Sequence, residues 1–270
     1  MGSIWSSLSD MLVVVLNTFY NFTGSYGVAI ILLTLIIRAL LHPLSHKQMV
    51  SMQKMQKLQP RIKTLQEKYK NDKETLNREI MSMYKENKVN PAAGCLPLLV
   101  QLPILILLFR VLLKLEYPGM SNMFLGIQLN GTVLSTLAVA LGQTVTDSVH
   151  VGFGSVFSAL SSNTAGLLNF GVYMPNLILL VVISALTWLQ QKMSTTGGNP
   201  QMAMMSWFMP LFLTFICLSL QAGVLLYWGT SSLIGVAQQW WVMRKTKMEM
   251  AEKPQLYKDK PAGTQANKQK

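Results

Sequence analysis

The feature that most constrains this chain is a set of five apolar stretches. Each approaches the roughly 20 residues that an α-helix needs to cross about 30 Å of hydrocarbon. They lie at residues 27–44, 95–113, 174–189, 202–220 and 222–241. Half of the 270 residues (50%) are hydrophobic and 13% are charged, which is unlike a water-soluble domain of this size. Because the alternation of a membrane β-barrel is absent, helices must satisfy the backbone, and the sequence predicts an all-α polytopic membrane protein.

The distribution of Lys and Arg predicts the orientation of these helices. Eleven basic residues lie in 45–93, none in 117–173, one (Lys192) between the third and fourth stretches, and eight in 242–270. The positive-inside rule places the basic segments in the cytoplasm. Five transmembrane helices with the N-terminus outside and the C-terminus in the cytoplasm satisfy this rule.

The segments between the apolar stretches complete the predicted organisation. Apolar residues at three- and four-residue steps predict an external interfacial helix near the N-terminus and a helical hairpin after the first span. We expect Pro60 to kink or split the first hairpin helix, Asn71 with Glu74 to cap the second, and Asn90 with Pro91 to open the second span. The predicted boundaries are an interfacial helix 1–23, transmembrane helix 24–44, cytoplasmic hairpin 45–93, transmembrane helix 94–116, external loop 117–172, transmembrane helix 173–192, cytoplasmic loop 193–200, transmembrane helices 201–220 and 222–242, and a basic cytoplasmic tail 243–270.

Two further expectations concern the external loop and the ends of the chain. The apolar patch at 132–141 is not counted as a span, since one more crossing would put the basic tail outside. The first residues carry no Lys or Arg and no clear cleavage site, so we expect no removable signal peptide. Cys95 and Cys217 both fall in predicted spans, where they are expected to be small core residues rather than a disulfide or metal ligands.

Arg38, in "LLTLIIRALLHP", is the most informative single residue. A central arginine costs roughly 2.5 to 3.5 kcal/mol on insertion scales, so something must solvate it. One alternative is snorkelling to the cytoplasmic headgroups. The other is a water-filled cavity open to the cytoplasm.

Other spans carry polar residues that could line such a cavity. None of the five apolar stretches contains Asp or Glu, so the sequence offers Arg38 no carboxylate there. We hypothesise that its partner arrives with the substrate, such as an acidic residue of a passing polypeptide. The candidate lining residues are Thr34, one helical turn before Arg38, and Gln101, Gln190, Gln191, Ser231 and Ser232.

The sequence does not favour an enzyme or a proton-coupled transporter. His42 and His46 lie at the predicted cytoplasmic boundary and His150 lies in the predicted external loop, away from membrane depth. Intramembrane proteolysis would need a Ser with a His, or two Asp, at that depth. A proton-coupled transporter would need buried carboxylates.

The hairpin is rich in methionine and in positive charge. Methionines at helical spacing are most simply residues of the hairpin seam, although they also suit surfaces that bind varied apolar partners. Eleven basic against five acidic residues in 45–93 would favour anionic headgroups or ribosomal RNA.

Three motifs together resemble the YidC/Oxa-type membrane protein insertase family, in its bacterial five-span form without a large extracytoplasmic domain. They are "TLIIRALLHPLSHKQMVSMQKMQKLQPRI", "YKENKVNPAAGCLPLLVQLPILILLFRVL" and "MPLFLTFICLSLQAGVLLYWGTSSLIGVAQQ". The resemblance implies a hydrophilic groove closed on the outside, with Arg38 and Thr34 from the first span, Gln191 or alternatively Gln190 from the third, and Trp228 from the fifth.

The resemblance also implies a function and a location. It implies an insertase and chaperone for nascent membrane proteins in the bacterial plasma membrane, without catalysis, cofactor, small-molecule substrate or DNA. The Sec translocon and the ribosome are candidate further partners. A small channel or transporter, or an assembly chaperone without insertion activity, remains the alternative.

Overall fold

The computed structural model describes residues 2–87, 89–90, 96–115, 123–145, 150–194 and 200–252. Apart from one two-stranded hairpin, the regular secondary structure of these residues is helical, so the predicted all-α class is confirmed. The elements are α1 (Gly2–Thr23), α2 (Tyr26–Lys68), α3 (Lys73–Glu86), α4 (Leu96–Lys114), β1 (Met123–Phe124), β2 (Ile127–Gln128), α5 (Val133–Ala140), α6 (Phe153–Ser162), a 3₁₀ helix (Thr164–Leu168), α7 (Phe170–Ser194), α8 (Pro200–Cys217) and α9 (Ala222–Glu252).

Helices α2, α4, α7, α8 and α9 form a bundle in which the chain alternates direction. The beginnings of α2, α7 and α9 and the ends of α4 and α8 lie at one end of it, beside β1, β2 and α5. Backbone hydrogen bonds of 2.8 Å join the first two residues of α9 to the segment after β2. We call this end the capped end, and residues 123–145 and 150–168 the cap. Large apolar side chains of α1, α2, α4 and α9 fill the core beneath it, among them Leu16, Ile30, Leu112 and Tyr227.

Helix α2 is one continuous helix of 43 residues, about 65 Å long at 1.5 Å per residue. It joins the first predicted span to the predicted hairpin without a break, and it contains Pro43 and Pro60. Of the two expected effects of Pro60, a kink or a split, the split is therefore wrong, and the kink stays a prediction. Buried Met55, Leu58 and Ile62 pack against α3 on both sides of this proline, and that packing holds the helix together where one backbone hydrogen bond is missing.

The start of α3 also differs from the prediction. Asp72, rather than Asn71, is the N-cap residue, and its carboxylate accepts a 3.0 Å hydrogen bond from the Thr75 backbone N–H. Asp72 has the required spacing because the helix begins at Lys73. Hydrogen bonds from Thr75 hold the pKa of the Asp72 carboxyl below its ordinary value.

The segment predicted as an external loop is folded rather than irregular. Helix α5 is almost entirely buried against α7 and the start of α9. Its eight residues extend about 12 Å, far less than a membrane span. Asn163 and Asn169 donate side-chain hydrogen bonds of 3.1 and 3.2 Å to carbonyls at the end of α5, which attaches α6 and the 3₁₀ helix to it.

Two of the described helices, α2 and α7, are long and apolar enough to cross a membrane, and α8 contains a shorter apolar stretch, Trp207–Cys217. Cys217 is buried in the core, as predicted. The other predicted core cysteine, Cys95, and the proline of the predicted start of the second span, Pro91, lie outside the described residues.

Candidate functional site

Arg38 points across the bundle, from α2 to α9. It is half-buried, and its Nε–H donates a 2.6 Å hydrogen bond to Ser231 Oγ. Ser231 itself is buried. Snorkelling would require the side chain to extend along α2 toward the far end of the bundle, so this hydrogen bond favours a charge held inside the protein.

Polar groups from α4 and from the preceding turns of α2 and α9 lie around this pair. Gln101 of α4 donates a 3.0 Å hydrogen bond from Nε2 to the hydroxyl of Tyr227, one turn before Ser231 on α9. Thr34 is fully buried, and its hydroxyl donates to the Ile30 carbonyl at 2.6 Å. Its proton is thus used within α2, and its oxygen can only accept from another group.

Gly235 leaves room for side chains from α2 and α7 to approach each other. A Cβ at this position would lie 2.7 Å from Gln190 Nε2 and 3.6 Å from Arg38 Nη2. A contact of 2.7 Å is too short for real carbon atoms. The absence of a side chain at Gly235 therefore brings Gln190 beside Arg38.

Two further predicted site residues, Gln191 and Trp228, lie on α7 and α9. Gln191 is half-buried one position further along α7, and its place in the site stays a prediction. Trp228 packs against a buried cluster containing Ile183, Cys217 and Leu225, about one turn nearer the capped end than Ser231. The structure therefore groups Arg38 with Gln190 and Ser231, whereas Trp228 lies against apolar side chains.

An open cavity of about 400 Å³ lies between α2 and α9 on the side of Arg38 away from the cap. Arg38 and Gln238 contribute polar groups to it, and Leu35 and Ile234 contribute apolar ones. On the other side of Arg38, toward the cap, Leu33, Ile30 and Val224 are buried in the core. The site is thus a groove, open at one end and closed at the capped end. The residues lining the cavity are Leu35, Arg38, Ala39, His42, Pro43, Ile234 and Gln238.

Sequence reasoning missed Tyr227 and Gly235. The available signal was helical spacing, because Tyr227, Ser231 and Gly235 recur every four residues and so share one face of α9. Since Ser231 was already a candidate, the same spacing would also have identified Tyr227 and Gly235.

These features define a class: a helical membrane bundle with a charged groove that is closed at one end. Residues 18–250 match the model of the 60Kd inner membrane protein family. The chain belongs to this family, and the predicted YidC/Oxa-type resemblance is confirmed.

The relatives of the chain differ in length. It is 36% identical over 241 residues to the membrane protein insertase YidC of Nitratidesulfovibrio vulgaris, covering 89% of this chain and 39% of that protein. It is also 36% identical over 245 residues to YidC of Fusobacterium nucleatum, covering 91% of this chain and 99% of that protein. The chain thus spans about two fifths of the first relative and nearly all of the second.

A solved structure shares the fold. The crystal structure of an active YidC insertase with its first transmembrane domain resolved superposes with a TM-score of 0.59 and 28% sequence identity. The match covers 86% of this chain and 45% of that chain.

Proposed function

We propose that this chain is a membrane protein insertase and chaperone, which inserts and helps to fold nascent membrane proteins through a hydrophilic groove open to the cytoplasm. The observation that carries this proposal is Arg38, hydrogen-bonded to Ser231 beside an open cavity between α2 and α9. The names of the relatives and of the solved structure support it.

The groove would work by lowering the cost of moving polar groups part-way across the membrane. A guanidinium has five N–H donors, and Ser231 accepts one of them at 2.6 Å. The others are available to water and to the carboxylate or carbonyl oxygens of a substrate segment. Charge-assisted hydrogen bonds of this kind contribute about 1.5 to 3 kcal/mol each.

Release would be driven by the substrate itself. Each Leu, Ile, Phe or Val at the centre of a substrate helix favours insertion by about 0.3 to 0.6 kcal/mol. A sufficiently apolar helix therefore gains several kcal/mol by leaving the groove for lipid. The cycle needs no cofactor.

The proposed topology has α2, α4, α7, α8 and α9 as five spans, with the N-terminus and the cap outside and the C-terminus in the bacterial cytoplasm. Aromatic residues paired with cations support the position of the cytoplasmic boundary: Arg244 lies over the Trp240 ring at 5.4 Å, and Lys245 over Trp241 at 5.6 Å. From Ala222 to Trp240, α9 rises about 27 Å, close to the thickness of the hydrocarbon core.

The second half of α2 and α3 would form the cytoplasmic hairpin. Met55 and Met83 lie in the seam between them, which supports a structural role for these two methionines. The excess of basic residues on the hairpin suits a ribosome or anionic lipid. We include the ribosome and the Sec translocon as candidate partners on that basis and on the family resemblance.

The test is insertion of single-span substrates with acidic external tails into vesicles containing the purified protein. Arg38→Ala should lower their insertion at least about tenfold, since the tail loses charge-assisted hydrogen bonds. Arg38→Lys should retain part of the activity if charge is what matters. The control is Arg110→Ala, which removes an exposed cation of α4.

Normal insertion of every substrate by a well-expressed Arg38→Ala protein would contradict the proposed role of the groove. Solute flux through the wild-type vesicles would favour a channel instead. The buried apolar side chains on the cap side of Arg38 argue against a path open to both faces.

A further inference from the structure

Helix α6 of the cap is amphipathic, and the two phenylalanines of its apolar face are exposed. Phe153, Val156, Phe157 and Leu160 share one side of the helix at three- and four-residue spacing. Phe157 is 74% exposed and Phe153 45% exposed. Exposed aromatic rings on a short helix require a partner surface that the intramolecular packing does not supply.

The opposite face of α6 is a row of serines, all of them exposed. Gln143, just after α5, donates a 3.2 Å hydrogen bond to the Ser155 carbonyl. Ser158 and Ser162 donate their hydroxyls to backbone carbonyls of α6 itself, at 2.9 Å or more. The serine side chains therefore stay exposed, and the contact of α6 with the rest of the cap runs through its backbone and the buried Ala159.

The position of α6 relative to α8 identifies what lies against that apolar face. The Phe153 ring stacks on Phe215 with centroids 5.0 Å apart and an angle of 6° between the rings. Phe215 lies two residues before the end of α8, so α6 is level with the end of a proposed span. Phe212 and Leu211 on α8 are exposed as well, and continue the apolar surface of α6 along the outside of the bundle.

The number of charged residues in the cap indicates whether α6 contacts lipid or water. Residues 117–172 contain Asp147 and no other Asp, Glu, Lys or Arg, and the described cap residues, 123–145 and 150–168, contain none. A water-exposed insertion of this length normally carries several charges. An uncharged, Ser-faced amphipathic helix at the end of a span fits the boundary between headgroups and acyl chains, where its hydroxyls can contact headgroups and its rings can contact acyl chains.

We propose that α6 lies in the plane of the outer leaflet, with Phe153 and Phe157 inserted among the acyl chains next to α8. The cap is then a lipid-contacting element, bound to the bundle on one side by α5 and to the membrane on the other by α6. This inference uses the proposed side of the membrane and is independent of whether the groove inserts proteins.

Neighbouring positions on α6 provide a matched test in the full chain. Nitroxide spin labels are placed on Phe157→Cys and, separately, on Ser158→Cys, in vesicles of phosphatidylethanolamine and phosphatidylglycerol. Both residues are exposed, so neither substitution removes core packing. For each label, the collision rate with oxygen is divided by the collision rate with a water-soluble nickel chelate. This oxygen-to-nickel ratio should be at least about fivefold higher for label 157 than for label 158.

Two outcomes would overturn the proposal. Equal access of the nickel chelate to both labels would place α6 in water. Protection of label 157 from oxygen as well as from nickel would mean that protein, rather than lipid, covers this face.

A second measurement uses the unmodified protein. A membrane-confined diazirine probe should label the peptide containing residues 153–160 when it labels α8 in the same vesicles. Labelling of α8 without labelling of α6 would overturn the proposal, even if the cysteine variants failed to fold.

Discussion

At the scale of single residues, the site depends on how a permanent charge is held at membrane depth. Ser231 is buried and accepts the Nε–H of Arg38 at 2.6 Å, which fixes the guanidinium toward α9. Gly235, one turn further, leaves the space in which Gln190 approaches. The hydrogen bond to Ser231 thus orients the charge, and Gly235 leaves room for Gln190 beside it.

Ser231→Ala should reduce insertion of acidic-tailed substrates by less than Arg38→Ala does. The variant keeps the charge but removes one charge-assisted hydrogen bond, at a cost of up to about 1.5 kcal/mol, so we expect a loss of at most roughly tenfold. Ser231→Thr retains a hydroxyl and should restore most of the activity. The measurement is the insertion rate in vesicles.

The control for this prediction is Ser232→Ala, which removes the same atom from an equally buried neighbour on α9. Equal losses in both variants would show that the effect comes from helix packing and not from the hydrogen bond to Arg38.

Residue patterns predicted only part of this site. An arginine in an apolar stretch without acidic residues is visible in the sequence, and so is its Thr34 neighbour. The pairing of Arg38 with Ser231 spans 193 positions, and helical periodicity within one segment carries no information about which face meets which. Gln190 could not be separated from Gln191 for the same reason, since adjacent residues differ by only about 100° around α7.

At the scale of elements, α2 and α3 show how local signals compete. Helix α3 starts at Lys73 because Asp72 caps it, although Asn71 with Glu74 has the capping-box spacing. Pro60 lies inside α2 and does not divide it, because the apolar side chains around it pack against α3. A local cap thus decided the boundary of α3, and tertiary contacts decided the continuity of α2.

The Asp72 cap should make the stability of α3 depend on pH in the acid range. Its folded-state pKa is depressed by the hydrogen bonds from Thr75. The ionised cap therefore stabilises the helix fully above the ordinary aspartate pKa, and this contribution disappears as the pH falls through the lowered one. Amide exchange of residues 75–86, followed by mass spectrometry at a series of acidic pH values and corrected for intrinsic rates, should show this loss of protection.

The matched variant is Asp72→Asn, which keeps a capping oxygen but cannot titrate in this range. Its α3 protection should change less with pH than that of the wild type. The same pH dependence in both proteins would assign the effect to other groups.

At the scale of the whole molecule, the cap closes one end of the bundle through a few buried polar contacts. Asn176 of α7 is fully buried. Its Oδ1 accepts from the Gln128 N–H at 2.9 Å, and its Nδ2 donates to the Gln128 carbonyl at 3.2 Å. This side chain therefore satisfies both backbone groups of a residue at the end of β2.

Asn176→Ala should loosen the cap without unfolding the bundle. The variant leaves the Gln128 N–H without its Asn176 partner, at a cost of about 1 to 3 kcal/mol, while the Gln128 carbonyl keeps its 3.0 Å hydrogen bond from the Gly131 N–H. We expect faster proteolysis within residues 117–172, measured on the full chain in detergent micelles. Asn169→Ala removes an amide from an exposed position of the cap and should have a smaller effect; equal rates in the two variants would contradict a special role of Asn176.

The sequence was informative about the bundle and less so about the cap. Long apolar stretches predict the helices, because each helix forms its backbone hydrogen bonds within its own segment. The distribution of positive charge predicts their direction. The cap consists of short elements whose order depends on contacts with distant residues, such as Gln128 with Asn176. Its Gly-, Ser- and Asn-rich composition resembles that of an irregular loop, so its fold was not predicted.

The length of α2 has a mechanical consequence. At the capped end, Gly27 packs against Phe124 so closely that a Cβ would not fit, and we take this contact as the pivot for comparing displacements along α2. Arg38 lies about 17 Å from that pivot along the helix, and the last residue, Lys68, lies about 62 Å from it. A rigid tilt that displaces the Lys68 end by about 4 Å therefore moves Arg38 by only about 1 Å, and bending at Pro43 or Pro60 reduces this further. In geometric terms, a movement of the hairpin end of α2 would therefore reach the groove reduced nearly fourfold, as a small displacement of one charge.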